Sequence, residues 1–246
     1  MSATRGEHER FLDGPLNDGL PSLVAAAHEL KSPLALIRQL SLMLEDNDLA
    51  ASERKHMLHQ ISLTSERALR LTSDLTQSVR LSDALFTLEP INPQQLCEDI
   101  VRELMPLFAA HNRDFRLLTR KHPLLLVANR DLLRRIIMNF SDNALHYAES
   151  NTAVEIQIGL LNGGKVVRLS VRDYGPALSC DVFESLRGRL IKASTPIHAR
   201  PQSSGLGLHI ASQFADAMNG KIGVTRHRDG STFYVDLQAS QQLSLL

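Results

Sequence analysis

The reading of this chain turns on Asn139-Phe140-Ser141-Asp142-Asn143-Ala144-Leu145-His146-Tyr147. Leu132, Leu133, Ile136 and Ile137 just before it have the spacing of one buried helix face, which predicts a helix over about 129–147. Asn139 and Asn143 are one turn apart and share a face, and His146 follows within the next turn. Two readings are open. One is a polar stripe on a surface helix. The other is a site for Mg²⁺, which prefers hard oxygen ligands and suits amide oxygens, with His146 adding a donor or a positive charge for phosphate.

Two glycine-bearing stretches bear on that choice. Val171-Arg172-Asp173-Tyr174-Gly175 reads as a strand ending in a carboxylate, which is able to accept a hydrogen bond from an adenine amino group. Ser203-Ser204-Gly205-Leu206-Gly207-Leu208 opens a helix pattern, where glycines let backbone N–H groups approach phosphate closely. A P-loop lysine is absent, and no strand precedes this glycine pair as a dinucleotide fold requires.

Around these stretches the pattern is α+β. A helix is expected over about 93–110, strands over about 115–119 and 124–128, and a further helix over about 205–219. Val154, Ile156, Ile158 and Leu160 alternate in one strand, and Val167, Leu169 and Val171 in the next; Asn162-Gly163-Gly164 supplies the turn between them. A closing strand pair is expected at about 221–226 and 231–238. Strands mixed with helices around an antiparallel hairpin argue for a two-layer α/β sandwich.

The N-terminal part differs in kind. Leu23, Ala27, Leu30, Leu34, Ile37, Ser41 and Leu44 step by fours and threes, as do Leu58, Ile61, Ser65, Ala68, Thr72, Leu75 and Val79. That spacing is the seam of helices packed side by side, so an antiparallel helical hairpin is expected at 20–86. Two helices bury too little surface alone, and a second copy would complete a dimeric four-helix bundle. Within the first helix, Ala27-His28-Glu29-Leu30-Lys31-Ser32-Pro33-Leu34 sets a histidine beside a carboxylate. At ~100° per residue His28 lies roughly 140° from the seam and Ser32 roughly opposite it, with Glu29 on the flank. An outward imidazole with a neighbouring acid has the parts of a phosphate acceptor and its base. The helix is expected to run through Pro33 with a bend.

Composition sets bounds. Over 246 residues the net formal charge is zero, which gives no global attraction to nucleic acid or anionic lipid. Cys97 and Cys180 form no CxxC pair, so neither a zinc ribbon nor a disulfide framework is suggested. No run approaches the ~20 apolar residues of a membrane span, and a cytoplasmic location without membrane insertion is expected. Residues 1–19 read as a flexible lead-in without a signal-peptide core.

Taken in order, these pieces resemble the catalytic core of sensor histidine kinases, over about residues 20 to 240. His28-Glu29-Leu30-Lys31-Ser32-Pro33-Leu34 is similar to the phosphoacceptor box. The asparagine helix, the two glycine stretches and Gly230-Ser231-Thr232-Phe233 are similar to the N box, the two glycine boxes and the terminal strand of the GHKL-type (Bergerat) ATPase domain. The resemblance implies a helical phosphotransfer and dimerisation hairpin followed by an ATP-binding domain at 90–240. It implies autophosphorylation of His28 from ATP, assisted by Glu29, and transfer to an aspartate of a response-regulator receiver domain, with Ser32 at the position that aids dephosphorylation. It further implies Asn143 as the Mg²⁺ ligand, with Asn139, His146 and Tyr147 near the nucleotide. Asp173 would meet adenine, with Gly175 in the turn and Thr232 behind it; Gly205, Leu206, Gly207 and Leu208 would form the lid hinge. Ala177 and Ser203 stand where the family carries glycines. They keep a second reading open: a degenerate kinase serving as a dimeric scaffold or phosphotransfer protein, or chiefly as a response-regulator phosphatase. A separate sensory protein is a further partner the resemblance allows.

Overall fold

The computed structural model describes residues 19–45, 49–80, 86–118, 125–192 and 206–241. Two long helices come first, α1 (Gly19–Met43) and α2 (Ala51–Arg80), and they pack against one another. Pro33 lies inside α1 without ending it, as expected from the unbroken apolar spacing. The seam is only partly covered within one chain. Leu34 is 58% exposed and Leu58 is 54% exposed, whereas Leu40, off the seam, is buried.

The C-terminal part runs β1 (Glu89–Ile91), α3 (Pro93–Ala110), β2 (Asp114–Leu118), β3 (Leu126–Ala128), α4 (Arg130–Tyr147), β4 (Ala153–Leu161), β5 (Val166–Tyr174), α5 (Cys180–Lys192), α6 (Leu206–Ala217), β6 (Lys221–His227) and β7 (Gly230–Gln238). Local chemistry sets these boundaries. The Asn92 side chain accepts from the backbone N–H groups of Gln94 and Gln95, and Pro93, which lacks an N–H, begins α3. Asn129 caps α4 in the same way, accepting from Asp131 and Leu132. Between β4 and β5 the chain reverses through one 3-10 turn at Asn162–Gly164, where both Asn162 and Gly163 have positive φ.

Five strands form a mixed sheet in the order β2-β4-β5-β7-β6, with β2 parallel to β4 and the other pairs antiparallel; β1 and β3 pair separately. Period-2 alternation divides the sheet faces. Val167, Leu169, Val171 and Asp173 of β5, with Ser231, Phe233, Val235 and Leu237 of β7, are buried and share one face. Helices α3, α4 and α6 pack against the sheet, so the core lies between two layers. Leu132, Leu133, Ile136, Ile137 and Phe140 of α4 are all essentially inaccessible. Cys97 is buried among them, and burial pushes its thiol up to about 12, so it is an inert core residue.

The opposite face carries polar groups instead. Arg116 donates to Glu155 at 2.6 Å, the Tyr174 hydroxyl donates to Glu155 at 3.2 Å, and Arg172 pairs with Asp229 at 2.6 Å beneath the Tyr174 ring. Two elements differ from the sequence reading. Strand β1 is too short to show alternation. Helix α5 lies between the two glycine stretches, where no helix was expected; its Leu186 is buried while Arg187 is exposed.

Candidate nucleotide site

The C-terminal half of α4, the end of β5, the start of β7 and the start of α6 converge. Asn139 spans two of them: its Nδ2 donates to the Gly207 carbonyl at 3.4 Å. A Cβ added at Gly207 would sit in ordinary contact with the Asn139 amide, 3.7 Å from its Oδ1. Asn143 is half-buried one turn further on. Tyr147 closes the helix. Its backbone carbonyl faces Gly175 so closely that a Cβ at position 175 would run into it, which explains why the turn after β5 takes glycine. The Gly175 N–H donates to the Asp229 carbonyl, and the Glu149 N–H donates to that of Tyr174, fixing the strand end to the α4–β4 connection.

Asp173 is 2% exposed at the end of β5. Its carboxylate accepts from the Ser231 N–H at 3.1 Å and from the Ser231 hydroxyl at 2.5 Å. A buried carboxylate needs such donors, and these also fix its orientation. Ser231 was not singled out from the sequence. The register explains the difference: Asp173 pairs with Ser231, whereas Thr232 pairs with Arg172 and therefore points to the other face of the sheet. There the Thr232 hydroxyl lies 2.9 Å from Nε2 of His227. The hydroxyl behind Asp173 is thus that of Ser231, and the assignment of Thr232 to that role is corrected. Directly below, the rings of Phe140 and Phe233 lie 5.9 Å apart and floor the site.

The other candidates are distributed as follows. Leu208 is buried and packs in the core rather than offering itself to a ligand. Ser32 is exposed on α1. His28 and Glu29 are in α1, His146 in α4 and Leu206 at the start of α6; their side chains, and all of Gly205, lie outside the described residues. Helix α6 (Leu206–Ala217) begins at the second glycine stretch, and its Gly207 carbonyl is the group that meets Asn139.

The donor set suits a nucleotide with Mg²⁺. Among the described residues no group of three histidines, cysteines or carboxylates is placed to cage a metal. An ion held by one amide oxygen, phosphates and water needs no such cage. A buried carboxylate at Asp173, oriented by Ser231, fits the amino group of a purine.

Comparison with known proteins agrees. Residues 128–241 match the family described as histidine kinase-, DNA gyrase B-, and HSP90-like ATPase. The chain is 28% identical over 222 residues to the histidine protein kinase SaeS of Staphylococcus epidermidis, covering 87% of this chain and 62% of SaeS. It therefore spans less than two thirds of that relative. Among solved structures, full-length ShkA in complex with AMPPNP superposes with a TM-score of 0.61 at 23% identity, covering 94% of this chain and 47% of ShkA. Histidine kinase ThkA, in complex with response regulator protein TrrA, gives a TM-score of 0.63 at 18% identity, covering 92% of this chain and 63% of that one. These two show a shared fold. No described helix is long and apolar enough to cross a membrane. Residues 128–241 carry the GHKL-type ATPase fold, and over most of its length the chain is similar to sensor histidine kinases.

Proposed function

We propose that this chain is an ATP-dependent protein-histidine kinase core of a two-component system. The observation that carries the reading is the buried Asp173 carboxylate, held by Ser231 beside the glycine turn and across from the Asn139/Asn143 face. Asp173 accepts from the adenine amino group, and the amide face of α4 receives the phosphates. The Asn143 amide oxygen, with the phosphates, would hold Mg²⁺, which would supply charge neutralisation at the transferring group. His28 attacks the γ-phosphorus through a ring nitrogen. An N–P bond forms, the P–O bond to the departing ADP breaks, and Glu29 accepts the imidazole proton. The phosphoryl group then passes to an aspartate of a response-regulator receiver, the class of partner seen with ThkA. Ser32, exposed one turn after His28, is placed to meet that partner.

The acceptor helices (residues 20–86) act as a homodimer, with the ATP-binding domain at 90–240. The support is apolar surface that one chain leaves uncovered: Leu34, Leu36, Leu42, Met43, Leu58 and Leu69 are all exposed on α1 and α2. A second copy would bury them in a four-helix bundle. The test is incubation with γ-phosphate-labelled ATP. Wild type becomes labelled on histidine, and His28→Gln does not; label that persists in His28→Gln removes the acceptor assignment. A scaffold or phosphatase lacking kinase activity would leave wild type unlabelled. Nucleotide- and Mg²⁺-dependent thermal stabilisation separates that scaffold from one that still binds ATP.

A further inference from the structure

The ATPase domain is docked on the helical pair, and a cluster of four charges joins them. Arg135 of α4 forms an ion pair with Asp74 of α2 and donates to the Ser73 hydroxyl at 3.0 Å. Arg70 of α2 lies 3.8 Å from Asp142 of α4. On an α-helix Arg135, Asn139 and Asp142 fall within about 60° of arc, so α2 lies against the stripe of α4 that also presents Asn139. Arg135 is one turn before Asn139, and Asp142 immediately precedes Asn143.

A second observation shows that the docking is extensive. Asp216 marks the outward side of α6 and is exposed; His209, two turns earlier on the same side, is only 5% exposed. Helix α6 contacts both α1 and α2. His209 is left with a buried Nδ1 that has no hydrogen-bond partner among the described residues. The α2–α4 cluster is likewise imperfectly satisfied. Asp74 is 6% exposed, and burial outweighs Arg135 in moving its carboxyl above the usual range. The Arg70 Nε is buried without a hydrogen-bond partner among the described residues. A buried pair that loses nearly as much in desolvation as it gains in attraction is suited to opening.

We infer that Arg135 is the exchange point of an autoinhibitory latch: Asp74 holds its guanidinium in the docked arrangement, and the polyphosphate of a nucleotide arriving at Asn139 and Asn143 displaces Asp74 and frees the ATPase domain. The carboxylate of Asp74 stands in for a phosphate oxygen. Both are anionic acceptors for one planar guanidinium, which binds phosphate or carboxylate in the same forked geometry. Since both cannot hold it fully, docking and nucleotide binding oppose each other, and by linkage each weakens the other to the same degree. The inference rests on the nucleotide-site reading above.

The test uses the full chain with Mg·AMPPNP as probe, measuring affinity by calorimetry and hydrogen exchange in α6 and β5. In wild type, α6 amides are protected without nucleotide and exchange faster with it, while β5 stays protected. Asp74→Asn is expected to bind Mg·AMPPNP tighter by roughly fivefold or more and to show fast α6 exchange even without nucleotide. Ser73→Ala shifts both readouts the same way by less, and carries the test if Asp74→Asn loses protection in β5. Unchanged or weaker affinity in both variants, with α6 still protected, overturns the latch while leaving the nucleotide site standing. Wild type that binds no Mg·AMPPNP overturns both.

Discussion

Replacing Ser231 by alanine separates the structural assignment of the site from the one read from sequence. The hydroxyl donates to Asp173 at 2.5 Å where the carboxylate is 2% exposed, so water does not replace the lost donor. A hydrogen bond to a charged group is worth about 1.5–3 kcal/mol net. The Ser231 N–H remains at 3.1 Å and Asp173 has further partners, so the lower end applies, about 1.5 kcal/mol. That corresponds to roughly tenfold in an equilibrium constant. Ser231→Ala is therefore expected to lower the unfolding free energy in urea by about 1.5 kcal/mol. If Asp173 meets the purine, adenine-nucleotide affinity falls roughly tenfold as well. Thr232→Ala loses only the bond to His227 on the far side of the sheet, worth about 0.5–1.5 kcal/mol, and nucleotide affinity stays within about twofold. Titration calorimetry with AMPPNP and urea melts of both variants decide the matter. Affinity lost in Thr232→Ala and retained in Ser231→Ala would refute the register argument.

Three further outcomes are expected. Gly175→Ala forces a Cβ against the Tyr147 carbonyl, which belongs to backbone and yields poorly; urea melts should show a loss of at least about 2 kcal/mol. Asn143→Ala removes the amide assigned to Mg²⁺, so the extra thermal stabilisation that Mg²⁺ adds to AMPPNP disappears, while any metal-free shift persists. Burial lowers the His209 pKa below its usual 6.5, so the unfolded chain binds the proton more readily than the folded one; stability is intact above pH 6.5 and falls as pH drops below it. His209→Gln should flatten the decline in Tm between about pH 7 and 5.5 but not abolish it, because burial also lowers the His111 and His227 pKa values.

Much of the site was legible because helical and strand periods place residues without knowledge of the rest. The shared Asn139/Asn143 face and the place of Asp173 at the end of β5 follow from spacing, whereas their grouping with Gly175 and Gly207 as one site came from the family resemblance. Thr232 shows the limit of that approach. Within a strand, adjacent residues face opposite ways, and only pairing to a second strand tells which hydroxyl meets Asp173. Helix α5 shows another limit: Val182, Phe183, Leu186 and Leu190 have helical spacing, but Leu186 is identified as buried only once the layers close over it.

The amino-acid order by itself determined most of the elements, the order of the four motifs along the chain, and the continuity of α1 through Pro33, because these depend on local periodicity and capping. Tertiary structure alone decided that Ser231 supports Asp173, that Gly175 faces the Tyr147 carbonyl, and that Arg135 meets Asp74 across two domains. Such contacts join residues distant along the chain, and their geometry is set by how strands register and how layers dock, which no local pattern encodes.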